Sequence, residues 1–288
     1  MTTLDKPAAR SGQFRLGGEL PVNRLGYGAM QLTGPGIWGP PRDPDEAVRV
    51  LQRAVELGVN FIDTADSYGP FVSEKLIKKA LHPYPEGLVI ATKAGLTRTG
   101  PDQWHPVGRP EYLRQQCELS LRHLGVDTID LYQLHRIDPQ VPLADQLGEL
   151  VTLQDEGKVR YIGLSEVGVD DLEAAEKIAR IVSVQNLYNL AKRDADPVLR
   201  YAEQHQLGFI PWFPLATGEL AREDGPLAVA AKEHDASPSQ LALAWLLRRS
   251  PVMLPIPGTS SLAHLEQNTE AAGITLTDEE LEALTGAV

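Results

Sequence analysis

A single cysteine among 288 residues leaves no internal disulfide to be made, which excludes a disulfide-stapled secreted scaffold and suits a reducing compartment. That residue, Cys117, sits in the helical stretch YLRQQCELSLRHLG, where a packed small side chain is its plain reading. Long apolar runs are missing as well: none approaches the roughly 18 residues of a membrane span, and the opening MTTLDKPAARSGQFRL has no apolar segment of a secretory signal. Basic excess is absent too. The formal net charge is −12, and the lysines and arginines are scattered, so nucleic acid and anionic membranes are not the expected partners. A cytoplasmic protein acting on small molecules, with no obligate protein partner, is the expectation. The seven histidines form neither H-x-H on a first strand nor H-E-x-x-H, so no metal is expected.

A nucleotide-binding glycine loop is lacking despite an apparent match. GPGIWG, residues 34–39, has the spacing G-x-G-x-x-G, but that fingerprint requires a strand before it and a helix opening at its third glycine. PPRDP follows instead, and proline-rich chain cannot start that helix. The segment reads as a surface loop.

What is present is alternation. In DPDEAVRVLQRAVELG the apolar positions Ala47, Val48, Leu51, Ala54 and Val55 fall on one helical face. Asp43 is the predicted N-cap, Pro44 the first helical residue, Glu46 its capping-box partner and Gly58 the stop. Ser237, Pro238 and Gln240 repeat the arrangement, and Thr277 with Glu280 makes a third box. Eight short β-branched or apolar runs separate the helical patterns: RLGYGAM, NFID, LVIAT, IDLYQL, RYIGL, VSVQN, GFIPWF and MLPIP. Strands followed by helices, eight times over, predict an α/β fold of the (β/α)8 barrel type, a single domain over residues 1–288. FRLGGELPV reads as an N-terminal hairpin at the barrel floor, and residues 1–12 as a flexible tail.

Barrels of this kind build their sites at the C-terminal ends of the strands. Those ends carry Asp63, Lys93, His135, Ser165, Gln185 and Trp212. A lysine directly after an apolar strand needs a carboxylate to offset its desolvation, and Asp63 on the neighbouring strand is the natural partner. Tyr68 lies in the loop after Asp63. With an ordinary pKa of about 10 it holds its proton at neutral pH, and a nearby ammonium would stabilise the phenolate, so it can serve as a general acid. His135 beside these groups can orient a carbonyl oxygen. Each also has a structural reading: Asp63 as a turn residue, Tyr68 as packed aromatic, His135 as a hydrogen-bonded histidine.

These residues resemble those of the aldo-keto reductases. GVNFIDTADSYGPFVSE is similar to the family's aspartate and tyrosine signature, ATKAG to its lysine segment and LYQLHRID to its histidine segment. GLSEVG, VSVQNLYNL, FIPWFPLATG, SPSQLALAWLL and IPGTSSLAHLEQN extend the likeness in order along nearly the whole chain. The resemblance implies an NAD(P)H-dependent carbonyl reductase with the catalytic tetrad Asp63, Tyr68, Lys93 and His135. It implies a nicotinamide stacked on Trp212, with Ser165 and Gln185 on its carboxamide. Gly28, Pro214, Leu215 and Thr217 would lie along the cofactor, and Gly258, Thr259, Ser260, Ser261, His264, Gln267 and Asn268 at its adenosine end. Two positions depart from the pattern. Glu166 stands where the family has asparagine, and Gly258 and His264 stand where a lysine and an arginine commonly clasp the 2'-phosphate. Hydroxyls and helix amides still favour NADP(H), with NAD(H) the alternative.

Met30, Trp38 and Trp104 are candidate walls of the substrate pocket, or else local packing. PGIWGPPRDPDEA and IPGTSSLAHLEQN are similar to a bacterial branch described as pyridoxal reductases or pyridoxine dehydrogenases, which implies pyridoxal as a candidate substrate. Other readings stay open: relatives serve as cofactor-binding regulatory subunits of potassium channels, and Lys93 could form a Schiff base in an aldolase.

Overall fold

The computed structural model describes residues 6–215 and 227–287. An antiparallel hairpin comes first, β1 (Gln13–Leu16) paired with β2 (Leu20–Asn23). Seven parallel strands then follow one another around the barrel: β3 (Tyr27–Gly28), β4 (Phe61–Asp63), β5 (Val89–Ala94), β8 (Ile129–Leu134), β9 (Val159–Ser165), β10 (Ile181–Leu187) and β11 (Gly208–Trp212). A second hairpin, β6 (Leu96–Gly100) with β7 (Gln103–Pro106), interrupts the alternation after β5. The crossovers are α1 (Pro44–Glu56), α2 (Val72–Leu81), α3 (Pro110–Leu124), α4 (Leu143–Asp155), α5 (Val169–Glu176) and α6 (Asp196–His205). Beyond β11 come α7 (Ala228–Glu233), α8 (Pro238–Arg249), α9 (Leu262–Glu270) and α10 (Asp278–Gly286). Among the described residues no helix is long and apolar enough to cross a membrane.

The eighth predicted strand, MLPIP, is not a regular strand, yet it closes the barrel. Phe209 N donates to Val252 O at 2.9 Å and Leu254 N to Phe209 O at 2.8 Å on one side; Gly26 N donates to Pro255 O at 2.9 Å on the other. Pro255 and Pro257 have no N–H to offer a ladder, which explains why the pairing stays fragmentary. Backbones come close at this seam. A Cβ on Gly28 would lie 2.6 Å from Ile256 O, and one on Gly258 would lie 2.8 Å from Gly28 O. RLGYGAM likewise yields only the two-residue β3 and then a 3-10 turn over Ala29–Leu32.

Capping follows the sequence with one exception. The Asp43 side chain accepts from the amides of Asp45 and Glu46, and Ser237–Gln240 and Thr277–Glu280 form reciprocal boxes. Glu46 does not close a box; its carboxylate pairs with Arg49 at 2.6 Å. The buried stripe of α1 is Ala47, Val50, Leu51 and Ala54, while Val48 and Val55 sit at its edge. The tail expected over residues 1–12 needs correction from Pro7 onward. Pro7–Ser11 form a 3-10 turn, with Ala8 N bonded to Leu57 O and the Ser11 hydroxyl to Ala8 O.

The floor is plugged by the first hairpin. Phe14, Leu16 and Val22 are buried in the large core, and Leu16 and Phe14 press on Gly208 at the start of β11. Cys117 is packed in the same core, where burial pushes its thiol up to about 12 and leaves it no nucleophile at neutral pH.

Candidate active site

The mouth of the barrel is polar where the floor is apolar. Asp63 ends β4, and the chain turns at once: Thr64 N donates to Ala91 O at 2.8 Å and Asp66 N to Lys93 O at 3.1 Å, so the loop leaving β4 stays stitched to β5. The Thr64 hydroxyl reaches Ser73 Oγ at 2.7 Å on α2, and Ser73 N donates to Tyr68 O. Gly69, at φ +90°, lets the chain turn where any Cβ would meet Val72 at 2.4 Å. Tyr68 is thereby held on a short, doubly anchored loop.

Lys93 is wholly buried, and every proton of its ammonium has an acceptor. Nζ lies 2.6 Å from Asp63 Oδ2, 2.8 Å from Thr64 O and 3.3 Å from the Tyr68 hydroxyl. The other carboxylate oxygen of Asp63 accepts from Gln133 Nε2 at 3.1 Å and Gln185 Nε2 at 2.9 Å. A buried ion pair survives when its remaining lone pairs are satisfied, and here they are. Burial works against the ammonium, but Asp63 and Tyr68 outweigh it and raise the Lys93 pKa. This lysine is a fixed cation. A Schiff-base role, which needs a neutral amine, does not fit it.

Burial raises the Tyr68 pKa above its ordinary value, with Lys93 pulling the other way. The phenol therefore keeps its proton through the neutral range, as a donor must. His135, just past β8, has its pKa driven well below the usual value by burial first and then by Lys93, Arg136 and Arg98. It is a neutral imidazole beside three cations. Ser67 Oγ lies 3.3 Å from its Nδ1, and its ring meets that of Tyr68 edge-on at 5.9 Å between centroids.

The structure brings Asp63, Tyr68, Lys93 and His135 together with Gln185, and it places the pocket-wall candidate Trp104 beside them. The Trp104 indole, on β7 of the second hairpin, makes T-shaped contacts with both Tyr68 (6.4 Å) and His135 (6.3 Å). Trp38 is more exposed, in the loop that docks through Gly39 N to Gly69 O at 3.0 Å. The GPGIWG segment thus lines the tyrosine side of the mouth. Met30 is half-buried in the turn after β3, its carbonyl accepting from Thr33 Oγ1.

Of the residues implied for a cofactor, Ser165 ends β9 and accepts from Arg136 Nη1 at 3.1 Å. Trp212 ends β11, half-buried, followed by buried Pro214 and half-buried Leu215; Thr217 lies outside the described residues. Gly28 ends β3 beside Gly258 at the barrel seam. Thr259 is buried, its carbonyl accepting from Tyr27 OH at 2.6 Å and its hydroxyl from Ser261 N at 3.1 Å. Ser261 caps α9, its side chain accepting from His264 N; Ser260, His264 and Gln267 are exposed on this side and Asn268 is buried.

Sequence reasoning missed Gln133, Ser67, Arg98 and Arg136. Gln133 had a signal, since it lies two residues before His135 on the same face of a strand that should be apolar. Glu166, noted only as a departure, has a definite partner: it sits at φ +56° and its carboxylate accepts from Trp212 Nε1 at 2.5 Å and Leu187 N at 2.6 Å.

The aldo/keto reductase family model matches residues 24–288. The chain is 55% identical over 272 residues to an uncharacterized oxidoreductase of Schizosaccharomyces pombe, covering 94% of this chain and 88% of that one. It is 44% identical over 282 residues to pyridoxine 4-dehydrogenase of Escherichia coli, covering 96% and 98% of the two chains. Among solved structures, an aldo-keto reductase from Klebsiella pneumoniae in complex with NADPH superposes with a TM-score of 0.80 at 28% identity, covering 94% of this chain and 93% of that one.

Proposed function

The chain belongs to the aldo/keto reductase family, and from that premise we propose that Asp63, Tyr68, Lys93 and His135 reduce a ring-bearing aldehyde, pyridoxal foremost, to its alcohol. The enzyme is an NADP(H)-dependent oxidoreductase acting on carbonyl groups. One observation carries the site assignment: a fully buried ammonium lies 2.6 Å from a carboxylate and 3.3 Å from a phenol oxygen at the mouth of a barrel.

The residues present fit a nicotinamide cofactor. Trp212 offers an aromatic face, Ser165 and Gln185 carry donors and acceptors suited to a carboxamide, and the amides opening α9 suit a phosphate. When bound, NADPH supplies the hydride that reaches the carbonyl carbon. The chain's part is to handle the oxygen. Tyr68 gives its proton to the oxygen as negative charge develops, and Lys93 stabilises the phenolate left behind. Asp63 holds Lys93 charged and in place, with Gln133 and Gln185 holding Asp63. The Ser67 hydroxyl is assigned as donor to Nδ1, the tautomer in which the neutral imidazole of His135 carries its proton on Nε2 for the carbonyl oxygen. Solvent then restores the phenol proton.

Two things support pyridoxal: the 44% identity to pyridoxine 4-dehydrogenase and the edge-on cluster of the Tyr68, Trp104 and His135 rings, an aromatic surface suited to a flat heteroaromatic aldehyde. The test is NADPH oxidation by the purified protein against a panel of carbonyls that includes pyridoxal. Turnover of pyridoxal well above that of aliphatic aldehydes supports the substrate; no turnover of any carbonyl would favour a regulatory subunit.

A further inference from the structure

Arg98, on β6, lies at the meeting point of three segments that are distant in sequence. Its Nη1 donates to Ile37 O at 2.8 Å and Ser67 O at 2.9 Å, its Nη2 to Gly36 O at 2.7 Å, and its Nε to Gln103 O at 2.9 Å. The guanidinium carbon also lies 3.5 Å from the centroid of the Trp104 ring and 5.7 Å from that of Trp38. A planar cation with five donors can hold several carbonyls while stacking on an indole; an ammonium cannot do both. The carbonyls it holds belong to the GPGIWG loop, to the hairpin that bears Trp104, and to the residue just before Tyr68. That last residue, Ser67, is the one whose hydroxyl meets His135.

We propose that Arg98 is a positioning residue that fixes Trp104 and the 34–39 loop as one wall against Tyr68 and His135, and so selects planar, ring-bearing carbonyl substrates. The geometry gives the selection a cause. Trp104 meets the proton-donating pair only in T-shaped ring contacts, and the cation over its ring is a further restraint. Without that restraint the indole and the loop around Trp38 drift away from Tyr68 and His135, and a flat ring loses the wall it would lie against. A short aliphatic carbonyl needs only Tyr68 and His135, whose main anchors run through β4, β5 and β8 and which Arg98 reaches through Ser67 alone. The proposal rests on the reductase reading of the same mouth.

The experiment compares wild type with Arg98→Met, which keeps the stem and removes the donors, and Arg98→Lys, which keeps the charge. Each is assayed with NADPH against 4-nitrobenzaldehyde and against propanal, NADPH binding is titrated by fluorescence, and amide hydrogen exchange is followed over residues 34–39 and 67–71. In Arg98→Met the KM for 4-nitrobenzaldehyde should rise and kcat/KM fall by about 10- to 100-fold, the scale of an ångström of misplacement. Propanal kcat/KM should fall several-fold less than that for 4-nitrobenzaldehyde, NADPH affinity should hold within about twofold, and exchange at Gly39 and Gly69 should quicken. Lysine should not rescue selectivity.

A parallel loss with both aldehydes, no loss with either, or full rescue by lysine overturns the proposal. Should Arg98→Met fail to fold, Arg98→Lys is read by the same two ratios. If wild type reduces no carbonyl at all, the reductase reading has failed by itself. The wall is then judged by exchange, where unchanged protection of residues 34–39 in Arg98→Lys refutes it and a local loss sustains it.

Discussion

The two ends of this barrel are filled by opposite chemistry. At the floor, Phe14, Leu16 and Val22 from the first hairpin close the cylinder with hydrocarbon. At the mouth, Asp63, Lys93, Gln133 and Gln185 occupy the equivalent interior with a hydrogen-bonded ion pair, all four buried. Hydrocarbon at the floor stabilises by leaving water, at roughly 1.5–3 kcal/mol for a fully buried large side chain. A buried ion pair returns little net stability, because desolvation cancels most of the attraction. What the mouth gains is a cation fixed beside a phenol. Under the proposed reading, stability and reactivity are spatially separated along one axis, and the separation can be tested.

The largest effect should come from Tyr68→Phe. It removes one oxygen from the mouth and leaves the floor untouched, so turnover should fall by about 10²–10⁴-fold, the usual range for a general acid. NADPH affinity and the unfolding midpoint should barely move. Retained turnover, measured by steady-state kinetics with any accepted aldehyde, would remove Tyr68 from the mechanism.

Leu16→Ala should do the reverse. The cavity over Gly208 should cost about 2–5 kcal/mol in denaturant unfolding, while kcat per folded molecule stays near wild type. Lys93→Met is the variant that strains the comparison, since it leaves the Asp63 carboxylate buried without its cation. It should lose turnover and also about 3 kcal/mol of stability, the low end for a broken buried pair because Gln133 and Gln185 still donate to it. Adding Asp63→Asn to Lys93→Met should return part of the stability and none of the activity.

The floor and the mouth were unequally legible in the sequence. Alternating helix and strand patterns gave the (β/α)8 order and the first hairpin, because burial on both faces forces continuous apolar strands such as LVIAT and IDLYQL. Met253, Leu254 and Ile256 made the closing segment read as a strand, although Pro255 and Pro257 deny it a regular ladder. The tetrad stood out because Asp63, Lys93 and His135 are polar interruptions at strand ends. Arg98 did not, since a surface-looking arginine in LTRTG owes its position to carbonyls of residues 36, 37 and 67, which only the folded chain brings near. The β6–β7 hairpin was missed for a related reason: few of its residues are buried, and no apolar alternation marks it.

His135 gives the mouth a pH signature that the floor lacks. Its folded-state pKa lies well below the ordinary 6.5, with burial the main cause. The unfolded chain then binds the proton more readily than the folded one, so this contribution to stability is complete above about pH 6.5. It is lost as the pH falls toward the folded value, at about 1.4 kcal/mol per pH unit. Unfolding curves at pH 7.5, 6.0 and 5.0 should show wild type losing more stability than His135→Gln on acidification. Equal losses would mean that the imidazole is not held neutral.

The smallest effect expected sits at the rim, where Glu166 replaces the asparagine common in the family. A glutamate at φ +56° is unfavourable backbone for a residue of that shape, so something must offset it. The offset is visible: one carboxylate oxygen accepts from Trp212 Nε1 and from Leu187 N, tying the end of β11 to the end of β10. Under the proposed reading Trp212 flanks the nicotinamide, and its indole N–H needs an acceptor to keep the ring plane fixed. Glu166→Ala deletes that acceptor and should weaken NADPH binding by about three- to tenfold, the worth of one net hydrogen bond, with kcat little changed. Glu166→Gln keeps an acceptor oxygen in reach and should stay close to wild type. Titration of NADPH by quenching of tryptophan emission separates the two. If alanine and glutamine weaken binding alike, it is the charge at this position that matters, and the orientation of Trp212 must come from elsewhere.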